Sequence, residues 1–424
     1  MTTSTSVAQG LGSTQAGSTR SHDYSPLYRL GLIYLGISIL FEFLDQLLFL
    51  RLLGFNPITQ VMLLVRLSVD LMFIGVALGH GISASVFRGT VVNTLTVLTV
   101  YGFILGLVSE NDVLEILKDL ILFGSFILKF AIFKAIFLSG NDMDRFFAKL
   151  QKYCWYTLYV AIGSFAILLT LKRLDFSFYE QGISNVEWFV AYSAATNRPV
   201  GAIFGLALAF LLAKRMVLLS CAVILLPWIT KRLFSGDRKI IISVSSLAVL
   251  SLVGIQFVNI DLETLQYAIR IDFEEVWNGL QNFSLDAVRG ILIILDNPRY
   301  LESWSALQEL EEPGFWMGGG FGFNYVDVYS TEIVSNAHFS PVGFITKFGF
   351  VGMLAFYYLF VTGAISGIRA RHPMAVICGF YVLATIAGSL LAWKFFLSAP
   401  LLPMALAAAL YCPVSPASRG AKQS

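Results

Sequence analysis

The chain has 424 residues, of which 57% are hydrophobic and only 13% are charged, and its formal net charge at pH 7 is +2. Soluble domains carry roughly 25% charged residues, so this composition and a mean hydropathy of +0.74 exclude an ordinary soluble globular protein. A net charge this close to zero gives no reason to expect a nucleic-acid partner.

Apolar segments long enough to cross a bilayer recur through most of the chain, and a membrane-spanning helix needs about 20 mostly apolar residues. The segments that approach this length are 27–50, 59–79, 88–108, 113–138, 153–171, 190–213, 216–230, 240–258, 338–366, 373–393 and 395–412. The sequence therefore predicts an all-α polytopic membrane protein with about 10–12 transmembrane helices. We expect one set of helices within 27–258 and a second within 338–412. A polar, disordered cytoplasmic tail at 1–26 and a short tail at 413–424 complete the chain.

The cysteines and histidines give no sign of a metal or redox site. The four cysteines are far apart and form no CxxC pair, which favours small buried hydrophobic side chains. The four histidines have no HxxxH or HExxH spacing. We expect neither a metal nor a cofactor.

One long hydrophilic segment, residues 259–337, separates the two sets of helices. It contains no lysine, and three arginines stand against thirteen acidic residues, a net charge of −10. Cytoplasmic loops are enriched in Lys and Arg, so we expect this segment to be extracytoplasmic. With the N-terminal tail inside, an odd number of spans must precede an external loop, whereas eight are predicted. One of 190–213, 216–230 and 240–258 is therefore miscounted, and the sequence does not say which.

Apolar side chains recur at helical spacing inside this acidic segment. They follow one another at three-residue steps from Leu301 to Leu310, and Pro313-Gly314 ends the pattern. A second apolar stripe occupies residues 285–295. We therefore expect a mainly helical loop whose helices lie on the membrane surface as a lid.

A glycine-rich turn and two short motifs follow the later of these helices. The turn contains Gly318, Gly320 and Gly322, and His338 stands just before a predicted span in which a Lys-x-Gly-x-x-Gly pattern begins at Lys347. Glycine runs let a backbone approach a ligand closely and expose N–H groups to anions. The turn is therefore either an anion-binding element or a flexible connection into the next helix.

The order of these elements resembles the O-antigen ligase and O-antigen polymerase family of bacterial envelope glycosyltransferases. In that family, an arginine-led helix in a long periplasmic loop precedes a Gly-x-Gly-x-Gly turn, a histidine step and a Gly-x-x-Gly span. Here the helix begins at Arg299 and the histidine is His338, and the resemblance covers about residues 196–366. The chain departs from the pattern at Phe339, where the family often has Asn, so any hydrogen bond from that Asn is missing.

The resemblance implies a membrane glycosyltransferase in the bacterial inner membrane, acting in cell-envelope or exopolysaccharide biosynthesis. Its donor would be a glycan linked to a polyprenyl diphosphate, and its acceptor a lipid A core or another glycan. Arginine suits the departing diphosphate because it is always charged and binds phosphate through two parallel hydrogen bonds. The acceptor hydroxyl must lose a proton, which a neutral histidine with an ordinary pKa of about 6.5 can accept.

The resemblance assigns roles to individual residues. His338 and Arg299 are the predicted catalytic residues, and arginine is expected to act in place of a metal. The family also has an arginine at the external end of a mid-chain span. Arg238 fits the family's wording better, whereas Arg215 fits the positive-inside rule better. Arg289 is a further candidate for binding the diphosphate, although a structural role is the simpler interpretation.

The alternative hypothesis is a multi-span transporter or flippase of a lipid-linked or small anionic substrate. Charged residues are expensive to bury within spans and often mark transport pathways. Those predicted to lie within spans are Glu42, Asp45, Arg66, Asp70, Lys129 and Lys134. Glu42 and Asp45 are expected to pair with Arg66. Transporters often contain internal repeats with broken helices, and the sequence shows no such repeat, so the enzyme is the preferred hypothesis.

Overall fold

The computed structural model describes residues 26–47, 56–82, 84–138, 143–170, 186–196, 198–211, 215–234, 301–326, 333–334, 337, 339–389 and 401–412. These residues are mostly helical. Apart from Pro26, both predicted tails lie outside the described residues. So do the predicted span 240–258 and the first half of the acidic segment.

Eight helices precede the acidic segment in the described part of the chain. They are α1 (Pro26–Leu47), α2 (Asn56–Gly79), α3 (Thr90–Val108), α4 (Val113–Leu138), α5 (Met143–Thr170), α6 (Val186–Ala195), α7 (Pro199–Leu211) and α8 (Arg215–Phe234). The helices that follow are α9 (residues 301–309), α10 (Glu311–Met317), α11 (Ser340–Arg369), α12 (Pro373–Ser389) and α13 (Leu402–Tyr411). Between α10 and α11, β1 (Tyr325–Val326) pairs antiparallel with β2 (Ile333–Val334), Tyr325 opposite Val334.

Three helices of the described residues are long and apolar enough to cross a membrane, and they are α3, α4 and α11. Shorter apolar stretches occur at Pro26–Leu40 and in α12 and α13. As an α-helix, α4 is about 39 Å long, which exceeds the roughly 30 Å of a bilayer's hydrocarbon core. The structure therefore describes a mainly helical protein with candidate membrane spans. The larger number of spans that the sequence predicts goes beyond these residues.

The core is built around α4 because one side of this helix is a stripe of phenylalanine. The residues of the stripe alternate between steps of three and four, the spacing that keeps side chains on one helix face. They are Phe123, Phe126, Phe130, Phe133 and Phe137, and all are buried. Rings from α11, α13 and the glycine turn pack against them. The cysteines behave as expected, since three are buried and Cys412 is half-buried.

The predicted single span 190–213 is wrong. The structure has two helices there, α6 and α7, which fold back on each other. A Cβ added at Gly201 would lie 3.3 Å from Ser193 Cβ, and one at Gly205 would lie 2.5 Å from Val190 Cγ2. These contacts pair later residues with earlier ones, so the helices are antiparallel. Pro199, at the first position of α7, is well suited to begin a helix.

The predicted span 338–366 also differs, because α11 is interrupted. Gly349 has φ 72° and ψ 173°, which is not helical. Residues 350–369 alone form a helix about 30 Å long, enough to cross the hydrocarbon core. The break therefore lies at one end of the span, and residues 340–348 form a separate helical segment before it.

The helix ends group on two opposite faces. At one face, Lys134 near the end of α4 donates a hydrogen bond to Val86 O at 3.0 Å, and its Nζ lies 5.0 Å from the centre of the Tyr411 ring. The end of α11 lies on the same side, since a Cβ added at Gly367 would be 2.8 Å from Ala409 Cβ. This basic face includes Arg88, Lys134, Arg369 and Arg371. The end of α3 and the start of α4 form the other face, called the turn face below.

Candidate functional site: a glycine turn packed into a broken helix

The glycine turn, residues 318–322, packs directly against backbone at the turn face. A Cβ added at Gly320 would lie 2.2 Å from the Gly106 amide nitrogen in α3, and one at Gly349 would lie 2.0 Å from Trp316 O. Gly318, Gly320 and Gly349 also have positive φ values of 88°, 82° and 72°, a conformation that glycine adopts without steric cost. Close approach and backbone conformation therefore both require glycine at these positions.

The amides of the turn form hydrogen bonds within the protein. Gly319 N–H donates to Thr346 O in α11 at 2.6 Å, and Phe321 N–H donates to Gly102 O in α3 at 2.8 Å. Gly322 N–H donates to Asp119 Oδ2 in α4 at 2.9 Å. Because these three donors are used within the protein, they are not displayed to an anion. The turn is a fixed connection rather than a flexible one.

The carbonyl groups of the turn are held from α3 and from the short link between α3 and α4. Asn111 Nδ2 donates to Gly319 O and to Phe321 O, both at 2.8 Å. The Tyr101 hydroxyl donates to Met317 O at 2.6 Å. Irregular backbone next to a membrane needs such partners, because an unpaired polar group away from water is costly.

A buried ion pair lies directly under the turn. Lys347 Nζ donates to Asp119 Oδ2, and the two side chains are 0% and 5% exposed. Lys347 stands two residues before the break in α11, and the same Asp119 oxygen accepts the Gly322 N–H. One carboxylate thus joins α4, the segment 340–348 and the glycine turn.

A small separate core holds the remaining described part of the loop together. Ala306, Tyr325, Ala337 and Val342 are buried in it, with Phe339 packed at its edge. Two glutamates of α9 bind the hairpin at the residues that follow the turn. The Tyr325 hydroxyl donates to Glu302 Oε1 at 3.0 Å, and Val326 N–H donates to Glu309 Oε1 at 3.3 Å. We call α9, α10, β1 and β2, together with Ala337 and Phe339, the cap.

A second buried cluster lies nearer the basic face, between α1, α2 and α4. Lys129 Nζ donates to Asp70 Oδ2 at 2.7 Å, and the Tyr34 hydroxyl donates to Asp70 Oδ1 at 2.8 Å. Asp70 thus pairs with Lys129, both of which are among the charges that the sequence predicts within spans. The side chains of Glu42 and Asp45 lie outside the described residues, so their predicted pairing with Arg66 stays a prediction.

Most of the predicted catalytic and binding side chains lie outside the described residues. They are His338, Arg299, Arg289 and Arg238. Arg215 is the first residue of α8, but its side chain is also outside. The described neighbours of position 338, Ala337 and Phe339, both belong to the core of the cap. Gly318, Gly320 and Gly322 are all described: Gly318 packs against Lys347 and Gly349 of the Lys-x-Gly-x-x-Gly segment, whereas Gly320 and Gly322 pack against α3 and the start of α4.

Asp119 is the residue of this site that sequence reasoning missed. It lies inside the predicted span 113–138, and a charged residue within a span signals a functional site. Lys347 was singled out only as part of the glycine motif. The sequence gives no sign that the two pair, because 228 positions separate them.

Comparisons with known proteins add no relative from which a role could be transferred. No family model, no curated protein and no solved structure matches the chain significantly.

Proposed function

We propose that the chain is a membrane glycosyltransferase of the O-antigen ligase or polymerase type. It transfers a glycan from a polyprenyl-diphosphate-linked donor to a lipid A core or a glycan acceptor at the periplasmic face of the bacterial inner membrane. The observation that carries this proposal is the contact between the glycine turn and the broken helix. Gly319 N–H donates to Thr346 O, and Gly318 packs against Gly349, so two motifs of the resemblance form one unit.

The position of this unit suits a lipid-linked diphosphate. The break in α11 lies at the end of a segment, residues 350–369, that is about 30 Å long as a helix. The head group of a membrane lipid lies at that level, whereas its apolar chain lies alongside the span. The cap would then cover the reacting groups from the periplasmic side.

The chemistry follows from the residue types that the resemblance assigns. Arg299, two residues before α9, would bind the diphosphate, with Arg215 and Arg289 as further ligands, because the orientation proposed below leaves Arg238 on the cytoplasmic side. Fixed cations facing the departing diphosphate would stabilise its developing charge. His338 would accept the proton of the acceptor hydroxyl, a role that contributes roughly 10²–10⁴ in rate. The bond from the sugar to the diphosphate breaks as the bond to the acceptor oxygen forms.

Charge supports the proposed orientation. By the positive-inside rule, the basic face with Arg88, Lys134, Arg369 and Arg371 would face the cytoplasm, and the turn face the periplasm. The antiparallel pair α6 and α7 returns to the side from which it enters, so it adds no crossing. Of the eight spans predicted before the loop, seven then remain, and seven is an odd number as an external loop requires. About ten spans remain in the whole chain.

The orientation is tested by labelling a cysteine in the cap. Gln308 is exposed on α9, so Gln308→Cys in a background without the four native cysteines should react with a membrane-impermeant thiol reagent in intact spheroplasts. Labelling that requires lysis would place the cap in the cytoplasm and remove the basis for a periplasmic enzyme.

The activity is tested by deleting the gene and examining surface glycans on a gel. Loss of the whole ladder of attached glycans indicates a ligase. Acceptors that carry only a single glycan unit indicate a polymerase. Wild-type protein should restore the ladder, whereas His338→Gln should not, since glutamine keeps a polar contact but accepts no proton. Arg299→Lys should also fail, because lysine cannot form the two parallel hydrogen bonds. An unchanged glycan pattern in the deletion strain would contradict the proposal.

The cluster of Tyr34, Asp70 and Lys129 favours the transporter alternative. Buried ionisable residues inside a bundle are typical of transport pathways. A transporter would depend on Asp70 and tolerate His338→Gln, whereas the proposed enzyme would show the reverse. Complementation of the deletion strain with Asp70→Asn and with His338→Gln therefore separates the two functions.

A further inference from the structure

Asp119 is a residue of α4, and its side chain joins this helix to both the broken helix α11 and the glycine turn. It accepts the Gly322 N–H at 2.9 Å and a hydrogen bond from Lys347. It is 5% exposed and Lys347 is fully buried. Water therefore cannot replace either contact.

Stability alone does not account for a charged pair at this place. Replacing a buried ion pair by apolar side chains of similar volume is often neutral or stabilising, because the desolvation of two charges is costly. An apolar pair, however, could not accept the Gly322 N–H. A carboxylate can accept that bond together with one from Lys347, and the lysine balances its charge. In the structure the same carboxylate oxygen accepts both bonds, so the turn and α11 are held at one point of α4.

The segment 340–348 connects Lys347 to the position of the predicted catalytic residue His338. It is a short helix that carries Lys347 near its end and begins at Ser340, directly after the cap residues Ala337 and Phe339. From Lys347 to Ser340 the rise is about 10 Å. Fixing Lys347 against Asp119 therefore fixes where this helix begins, and with it the neighbouring residues of the cap.

We infer that Asp119 and Lys347 are positioning residues, which hold the glycine turn in the break of α11 and thereby set the cap over the turn face. Only the consequence for catalysis rests on the proposed function. The hold on the turn is a property of the fold, and it can be measured without any substrate.

The test compares two double variants of the full chain, purified in lipid nanodiscs. Asp119→Asn/Lys347→Met removes both charges but keeps an amide oxygen that can accept the Gly322 N–H. Asp119→Leu/Lys347→Met removes both charges and the acceptor. Both variants change Lys347 in the same way, so the comparison between them isolates the hydrogen bond to the Gly322 N–H. If the leucine variant does not accumulate, Asp119→Ala/Lys347→Met removes the same acceptor with a smaller side chain.

Hydrogen exchange at the turn is the first readout. Exchange of the peptide that covers residues 318–323 should rise about tenfold in the leucine variant, as expected for the loss of one buried hydrogen bond. It should stay close to wild type in the asparagine variant, while peptides of α12 serve as an internal control. Equal exchange in both variants would overturn the inference.

Turnover is the second readout, and it distinguishes positioning from simple support of the fold. With a polyprenyl-diphosphate-linked glycan as donor, the leucine variant should lose at least about tenfold in kcat with little change in the KM for the donor. The asparagine variant, which keeps an acceptor for the Gly322 N–H but not the bond to Lys347, should recover part of this loss. Wild-type turnover in the leucine variant would overturn the positioning role. If wild-type protein itself transfers no glycan, the proposed function fails, while hydrogen exchange still decides whether Asp119 holds the turn.

Discussion

Helix α4 carries two buried ion pairs that share their chemistry but differ in what they join. Lys129 pairs with Asp70 in α2, and the Tyr34 hydroxyl of α1 completes the cluster. Tyr34, Asp70 and Lys129 all contribute side chains from regular helices. Asp119, ten positions earlier on α4 and about 15 Å away along its axis, pairs with Lys347 and also binds the backbone of the glycine turn.

The two carboxylates therefore have different roles. Asp70 organises side chains between helices whose own backbone groups are already paired within the helix. Asp119 satisfies a backbone amide that has no helical partner, in a turn that also meets the broken helix. Neutralising Asp70 and Lys129 should therefore change side-chain packing only. Removing Asp119 and Lys347 should also release the glycine turn, which lies between the predicted catalytic residues Arg299 and His338 in the sequence.

The largest expected effect comes from removing one lysine at a time. Lys347→Met leaves Asp119 as an uncompensated buried charge, and removing one partner of a buried pair costs about 3–5 kcal/mol. Lys129→Met should cost less, because the Asp70 side chain is 13% exposed whereas that of Asp119 is 5% exposed. Thermal unfolding of the purified variants in detergent gives the comparison. Equal losses for the two lysines would mean that the pairs are energetically equivalent.

A smaller effect is expected from the glycines. Gly320→Ala would place a methyl group 2.2 Å from the Gly106 amide nitrogen at a φ of 82°, and the strained backbone alone costs about 1–3 kcal/mol. Gly124→Ala in α4 is the matched control, since its added Cβ would meet nothing within 4 Å. The control should change stability by less than about 1 kcal/mol. A Gly320→Ala protein as stable as the Gly124→Ala protein would show that the turn is not tightly packed.

Local patterns predict much of the helical framework. The apolar run 113–138 predicts α4 with the bounds that the structure has, and the run 59–79 lies within α2. Hydrophobic length and periodicity are properties of neighbouring residues, so they can be read from the sequence. The prediction that Pro313-Gly314 ends the helix of the apolar stripe is wrong, because α9 ends at residue 309 and Pro313-Gly314 lies inside α10 (Glu311–Met317).

The breaks and the long-range pairs could not be predicted in the same way. Both α6 and α7 are apolar, so the run 190–213 resembles one span, although Arg198-Pro199 at their junction was a usable signal for a break. Gly349 lies in an apolar stretch that tolerates a helix, and its positive φ depends on the contact with Trp316. The pairing of Asp119 with Lys347 depends on how distant helices pack, which no local pattern encodes.

The most direct test of the account compares surface-glycan ladders from deletion cells that carry one of two double variants. Asp119→Leu/Lys347→Met removes the ion pair and the acceptor beneath the turn. Asp70→Asn/Lys129→Met neutralises the other pair on α4 and keeps an acceptor for Tyr34. At matched protein levels in the membrane, the account predicts that the first variant loses the ladder and the second retains it. A ladder that survives Asp119→Leu/Lys347→Met, or that disappears equally with both variants, would contradict the claim that the glycine turn and the broken helix form the functional centre.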